Sequence, residues 1–218
     1  MTTLNTGAGR CRPTHQLSIR PVQAVIELGA LADVVHTALN AAHHANRRGN
    51  PDDRIAVALP DMHVHRGIAR PGHEVVLFGT DAALAIYLDL DGVKRLVRRG
   101  MVKDLEMNEA FSVPGGRGTA YVRDRRAAKR RPCAIRRARE RAARRGVKLS
   151  DELQQTRHPD PALLALHFGS AVIHVREIEA AIDDQPLLVN TYGFSSAVTP
   201  AVLPITSEST QRRGSYAA

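Results

Sequence analysis

Residues 16–60 read QLSIRPVQAVIELGALADVVHTALNAAHHANRRGNPDDRIAVALP, and the change of hydrophobic period inside them decides the fold class. Leu17-Ser18-Ile19-Arg20 alternates apolar and polar, the two-residue period of a half-buried strand. From Val22 to about Ala45 the period changes. Leu28, Leu31, Ala32, Val35, Leu39 and Ala42 recur at spacings of three and four, which puts them on one helical face. Arg47–Asp53, with Gly49-Asn50-Pro51 inside it, breaks the helix. Ile55-Ala56-Val57-Ala58-Leu59 is then a short apolar run closed by Pro60, a second strand.

Working outward, His73 to Phe78 is a third strand, ended by Gly79. Thr80-Asp81 offers a side-chain cap for a helix running to about Arg99. Val102 to Val113 is a further strand region. The order β-α-β-β-α-β predicts an α+β fold whose N-terminal part, residues 16–114, is a ferredoxin-like (RRM-like) domain. Pro114-Gly115-Gly116-Arg117-Gly118 marks a boundary. Residues 115–205 form a smaller C-terminal α/β region, with strands near Val172–Ile178 and Leu187–Tyr192. The polar stretches 1–15 and 206–218 read as flexible tails.

Hydrophobic residues make up 43% of the 218, enough for a real core, while aromatics are only 4% and Trp is absent. The core must therefore be Val, Leu, Ile and Ala, and a platform of stacked bases is disfavoured. The net charge of +9 is concentrated. Arg117–Lys148 holds 14 Lys/Arg against Asp124 and Glu140, while the other 186 residues hold 17 basic and 20 acidic side chains. A near-neutral body with one basic arm is a polyanion-binding surface. Pro132 suits the first turn of a helix, and residues 133–145 (CAIRRARERAARR) are strong helix formers stopped by Gly146. Ile135, Ala138 and Ala142 share a narrow apolar face. Arg137, Arg141 and Arg145 stack at i, i+4, i+8, which destabilises a helix unless an anion lies against it. The two cysteines, Cys11 and Cys133, imply no disulfide framework. No spanning run or apolar signal core is present, so the cytoplasm is expected.

Three features could carry chemistry. His36 lies at the edge of the helical stripe, either a half-buried structural histidine or a general acid or base near neutrality. His43 and His44, with His63 and His65, raise the question of a metal. Neighbouring positions on a helix point to different faces and no ligand set is completed, so they read as solvent-facing and no metal is expected. Tyr192-Gly193-Phe194-Ser195 follows a strand, either as a packed turn or as a hydroxyl presented at a site.

Taken in order, these pieces resemble the CRISPR-associated endoribonuclease of type I-F systems, which cuts precursor CRISPR RNA at repeat hairpins. Leu17-Ser18-Ile19-Arg20 is similar to the family's first strand, and His36 follows in the first helix. Asp53-Arg54-Ile55-Ala56-Val57-Ala58-Leu59-Pro60 mirrors its D-R-I-G-V-S-F-P. Gly72-His73-Glu74 through Val113-Pro114 follows its strand, helix, strand and Val-Pro. An arginine linker and an arginine helix come next, and Tyr192-Gly193-Phe194-Ser195 matches a terminal Y-G-L-S. The likeness covers about residues 17–205. The helix ending Arg144-Arg145-Gly146 looks especially like members carried by transposon-associated variants.

The resemblance implies metal-independent cleavage at the 3′ base of the repeat stem-loop. The RNA's own 2′-hydroxyl attacks, no cofactor takes part, and the product stays bound as guide RNA in a Cascade-like effector complex. On the matching positions His36 would be the general base or acid, Tyr192 would orient it, and Ser170 would hold the ribose. Arg126 would read a guanine at the stem base, though its usual glutamine partner falls on Ala128. Phe168 lies nearest the aromatic that caps the stem. Arg123, Arg125, Arg130 and Arg131 would bind RNA from the linker. Arg136, Arg137, Arg139, Arg141, Arg144 and Arg145 would enter the major groove of the hairpin. A non-catalytic hairpin-binding subunit of a ribonucleoprotein is the alternative.

Overall fold

The computed structural model describes residues 7–103, 105–110, 115–124, 132–148, 163–168, 171–183 and 186–204. The chain is a mixed α+β protein with several antiparallel sheets. Leu17 and Ile19 are buried in strand β2 (His15–Ile19), and their polar neighbours are less so, which is the expected alternation. The helical stretch after it is split. Helix α1 (Gln23–Glu27) stops at a turn through Gly29, whose φ of 72° is left-handed, and helix α2 runs Leu31–Arg48. The break leaves Leu28 83% exposed, so it is not part of the helical stripe; Ala32 is exposed too. The buried face is Val34, Val35, Ala38, Leu39, Ala41, Ala42 and Ala45.

Strands β3 (Ala56–Ala58) and β6 (Val75–Gly79) are fully buried, and β7 is Glu106–Glu109. With β2 they form one antiparallel sheet in the order β3-β6-β2-β7. Leu17 lies opposite Leu77 on one side and Met107 on the other. The helix after β6 is capped as expected, the Thr80 hydroxyl accepting from the Ala83 N–H at 3.1 Å. It is two helices, α3 (Asp81–Leu88) and α4 (Asp91–Arg98). Both pack on α2, and the buried Tyr87 hydroxyl donates to the Ala38 carbonyl at 3.3 Å. Between β3 and β6 stands a hairpin missed by the sequence reading, β4 (His63–His65) and β5 (Ile68–Arg70).

The second half departs further from expectation. Arg117–Asp124, read as the start of a basic linker, is strand β8, with Thr119, Ala120, Tyr121 and Val122 buried. It sits inside a second antiparallel sheet, β12-β8-β10-β9, with β9 (Leu164–Phe168), β10 (Ala171–Ala181) and β12 (Leu203–Pro204). The arginine helix, α5 (Pro132–Arg144), is present with Pro132 at its first position. Ala8–Cys11, expected to belong to a loose tail, is strand β1. It pairs with β11 (Leu187–Asn190) and buries Cys11. Burial pushes the Cys11 thiol up to about 12, so it is an inert core group.

The two halves share one core rather than dividing at residue 115. Leu164, Leu166, Phe168, Ile173, Val175 and Phe194 belong to the same buried cluster as Leu17, Val57 and Leu77. Two sets of hydrogen bonds close the seam. The buried Arg54 guanidinium donates to the Val189 carbonyl at 3.1 Å and to the Gly7 carbonyl, tying β1 and β11 to the entry of β3. The Val57 N–H donates to the Gly193 carbonyl at 2.9 Å, so the Tyr192 turn covers the edge of the first sheet.

Candidate functional site

The seam between the sheets places four side chains together. His43, on α2, lies ring to ring on Tyr192 at 4.3 Å between centroids and 9° between planes. Phe168, at the end of β9, meets Tyr192 edge-on at 4.6 Å and His43 at 5.8 Å. The Arg123 guanidinium, near the end of β8, stands 5.2 Å from the Tyr192 ring centre, a cation–π arrangement.

Local sequence explains each placement. Asn46, one turn beyond His43, donates to the Ile55 carbonyl at 2.8 Å and accepts from the Ile55 N–H at 2.7 Å. That buried amide fixes the rotation of α2 against the entry of β3, with His43 turned to the seam. The Asn190 side chain accepts the Tyr192 N–H at 2.8 Å, an Asx turn that aims Tyr192 back at α2. Gly193 follows at φ 84°, and a Cβ there would stand 2.4 Å from Val57 Cγ2.

Protonation follows from one bond. His43 Nδ1 is 3.0 Å from the Thr191 carbonyl, which can only accept, so Nδ1 carries the hydrogen. Burial lowers the His43 pKa from its ordinary value; the Thr191 carbonyl bond opposes this in part, and His44 and Arg47 add smaller lowering contributions. At neutral pH the ring is therefore neutral and Nε2 holds a lone pair, the state required of a general base.

The sequence-predicted residues divide. His36 is exposed, not half-buried, and the Asn40 amide nitrogen lies 2.9 Å from its Nε2. It shares the helical face of His43 but sits two turns away, roughly 10 Å along the axis. His43 is half-buried within a ring cluster, correcting its reading as solvent-facing; His44, His63 and His65 are exposed. Phe168 is 7% exposed, so it props the cluster and is not available to cap a stem. On α5, Ile135 is buried while Arg136, Arg137, Arg139, Arg141, Arg144 and the following Arg145 are exposed, as the narrow apolar face required. Glu140 reaches Arg136 at 3.9 Å, leaving the row strongly cationic. Arg125, Arg126, Arg130, Arg131, Ala128 and Ser170 lie outside the described residues.

No protein-family model matches the chain, and no curated protein matches it. Among the described residues no group of three His, Cys, Asp or Glu side chains converges as metal ligands would, and no helix is long and apolar enough to cross a membrane. His43 was legible in one respect: it stands seven residues after His36, with Asn40 between, on one polar stripe of α2.

Proposed function

We propose that this chain is a CRISPR RNA-processing endoribonuclease of the type I-F kind, with His43 in place of His36 as its base. The observation that carries the reading is the half-buried His43 ring stacked on Tyr192 beside Arg123. Nε2 takes the proton of a ribose 2′-hydroxyl. That oxygen attacks the adjacent phosphorus, the bond to the 5′-oxygen breaks, and the leaving oxygen takes a proton from the His43 imidazolium or from solvent. The products are a 2′,3′-cyclic phosphate and a 5′-hydroxyl, and no metal is consumed in the balance. Arg123 stabilises the added charge on the phosphorane, the type of fixed cation that contributes most when water is excluded. Tyr192 holds the imidazole in plane.

The surroundings support the same reading. The sheet order β3-β6-β2-β7, with α2 and the α3–α4 pair between its strands, supports reading this part as a ferredoxin-like domain. The exposed arginines of α5 fit the phosphates and guanine edges of a short RNA stem whose open end admits a helix. The protein then keeps its product, acts about once, and remains on the guide RNA as a subunit of a cytoplasmic Cascade-like complex. Ala128, standing where the family has a glutamine, favours a second reading, a subunit that only holds the hairpin.

The test is incubation with the cognate repeat RNA in EDTA, followed by end-group analysis. A cyclic phosphate at the 3′ base of the stem is expected. A requirement for Mg²⁺, or a 3′-hydroxyl product, would overturn the mechanism. Tight binding without cleavage would establish the second reading.

A further inference from the structure

Behind the Tyr192 turn lies a cavity of about 640 Å³ that meets the cleavage chemistry at Arg123. Its size falls in the roughly 300–1,000 Å³ range of small-ligand sites, enough for one nucleotide and too small for a base pair with its backbones. Two arginines line it, Arg123 and Arg176, contributed by the paired strands β8 and β10, with Arg123 opposite Val175 and Arg176 opposite Val122. Asn190 and Asp124 add an amide and a carboxylate. Leu188, 37% exposed, and Val198, 90% exposed, give it an apolar wall. The composition is that of a nucleotide site, with cations for phosphates, an apolar surface for a base face and mixed donors and acceptors for a base edge.

Position narrows the ligand. Arg123 belongs to both places, lining the cavity and standing over the Tyr192 ring. Asn190 lines it too while holding the Tyr192 turn. A phosphate at His43 and Tyr192 would therefore share Arg123 with the cavity. The nucleotides on the stem side of that phosphate are paired and cannot enter. The nucleotide beyond it is unpaired and can.

On the proposed cleavage reading, we infer that this cavity holds the first unpaired nucleotide on the leaving side of the cut, with Arg123 toward the scissile phosphate and Arg176 toward the next. The site makes the enzyme prefer uncut RNA over its own product, and it specifies where the strand leaves the stem.

The experiment compares two hairpins that carry a 2′-deoxyribose at the attacking position, so that neither is cut. One ends in a 3′-phosphate at the cleavage site; the other is extended by one nucleotide bearing its own 3′-phosphate. Binding is measured by fluorescence anisotropy at one salt concentration. For the wild-type protein the extension is expected to lower Kd about ten-fold, the scale of one added charge-assisted hydrogen bond. Arg176→Ala removes an exposed cation, and Ala197→Trp fills the cavity from an exposed loop; neither position is buried. Each is expected to bring the ratio below two-fold while the shorter hairpin binds as before. No gain in the wild type, or the same gain in both variants, would overturn the inference. The comparison needs no cleavage. An extension preference that vanishes in the variants, in a protein that fails to cut all-ribose RNA, would retain the cavity and remove the enzyme. Cleavage without the preference would do the reverse.

Discussion

Gly193→Ala tests whether the seam between the sheets positions Tyr192. Gly193 has a φ of 84°, which an L side chain occupies at a cost of about 1–2 kcal/mol. The added Cβ would lie 2.4 Å from Val57 Cγ2 and 3.1 Å from both Val57 Cβ and the Ile55 carbonyl oxygen. Val57 is fully buried at the edge of the first sheet and cannot swing away, so overpacking adds about 1–3 kcal/mol. The two effects give a loss of about 2–5 kcal/mol, a large part of the stability of an ordinary domain. Relief of the clash also stretches the Val57 N–H to Gly193 carbonyl bond and carries Tyr192 off His43. The assay is urea unfolding followed by circular dichroism, run as a double-mutant cycle with Val57→Ala. Removing Cγ2 restores room, so the two changes together should cost about 1–2 kcal/mol less than their sum. A single-variant loss under about 1 kcal/mol, or strict additivity in the cycle, would refute the steric argument.

Three further outcomes are expected. His43 has its pKa lowered in the folded protein, so below about pH 6.5 the unfolded chain binds the extra proton and stability falls with acid. His43→Gln should therefore lose less stability than wild type between pH 7 and pH 5; equal losses in urea titrations would contradict the buried neutral ring. Arg137→Ala and Arg141→Ala on α5 should weaken hairpin binding regardless of stem sequence and each reduce the slope of log K against log salt by about 1, read from binding isotherms across salt. Arg54→Met, which strands the Gly7 and Val189 carbonyls, should cost about 1–3 kcal/mol in urea unfolding, and a loss under about 0.5 kcal/mol would show that β1 is held by other means.

What could be read from the sequence follows from how local each signal is. The two-residue period of Leu17-Ser18-Ile19, the cap at Thr80 and the apolar stripe of α5 are set by neighbours within a turn or two, and all three appear where expected. Ala8–Cys11 carries no such signal. Its strand exists because β11, 176 residues or more away, and the Pro51 and Arg54 backbones supply partners. Arg117–Asp124 was hidden by its flanking arginines, since charge drew the reading outward while the short Thr119–Val122 run sets the strand. The exposed Leu28 shows the opposite error: apolar spacing continued across Gly29, but the left-handed turn there ended the helix. The proposed choice of His43 over His36 was out of reach for the same reason as β1. His36 and His43 share one helical face, and only the distant Tyr192 turn and Thr191 carbonyl select between them.

That selection is the most direct measurement. Single-turnover cleavage of the cognate repeat hairpin in EDTA should be slowed about 10²–10⁴-fold by His43→Ala, the contribution of a positioned general base. His36→Ala, which removes an exposed side chain beside the Asn40 amide, should leave the rate within about two-fold. The reverse pattern, with His36→Ala inactive and His43→Ala active, would contradict the assignment of His43 and Tyr192 as the cutting site.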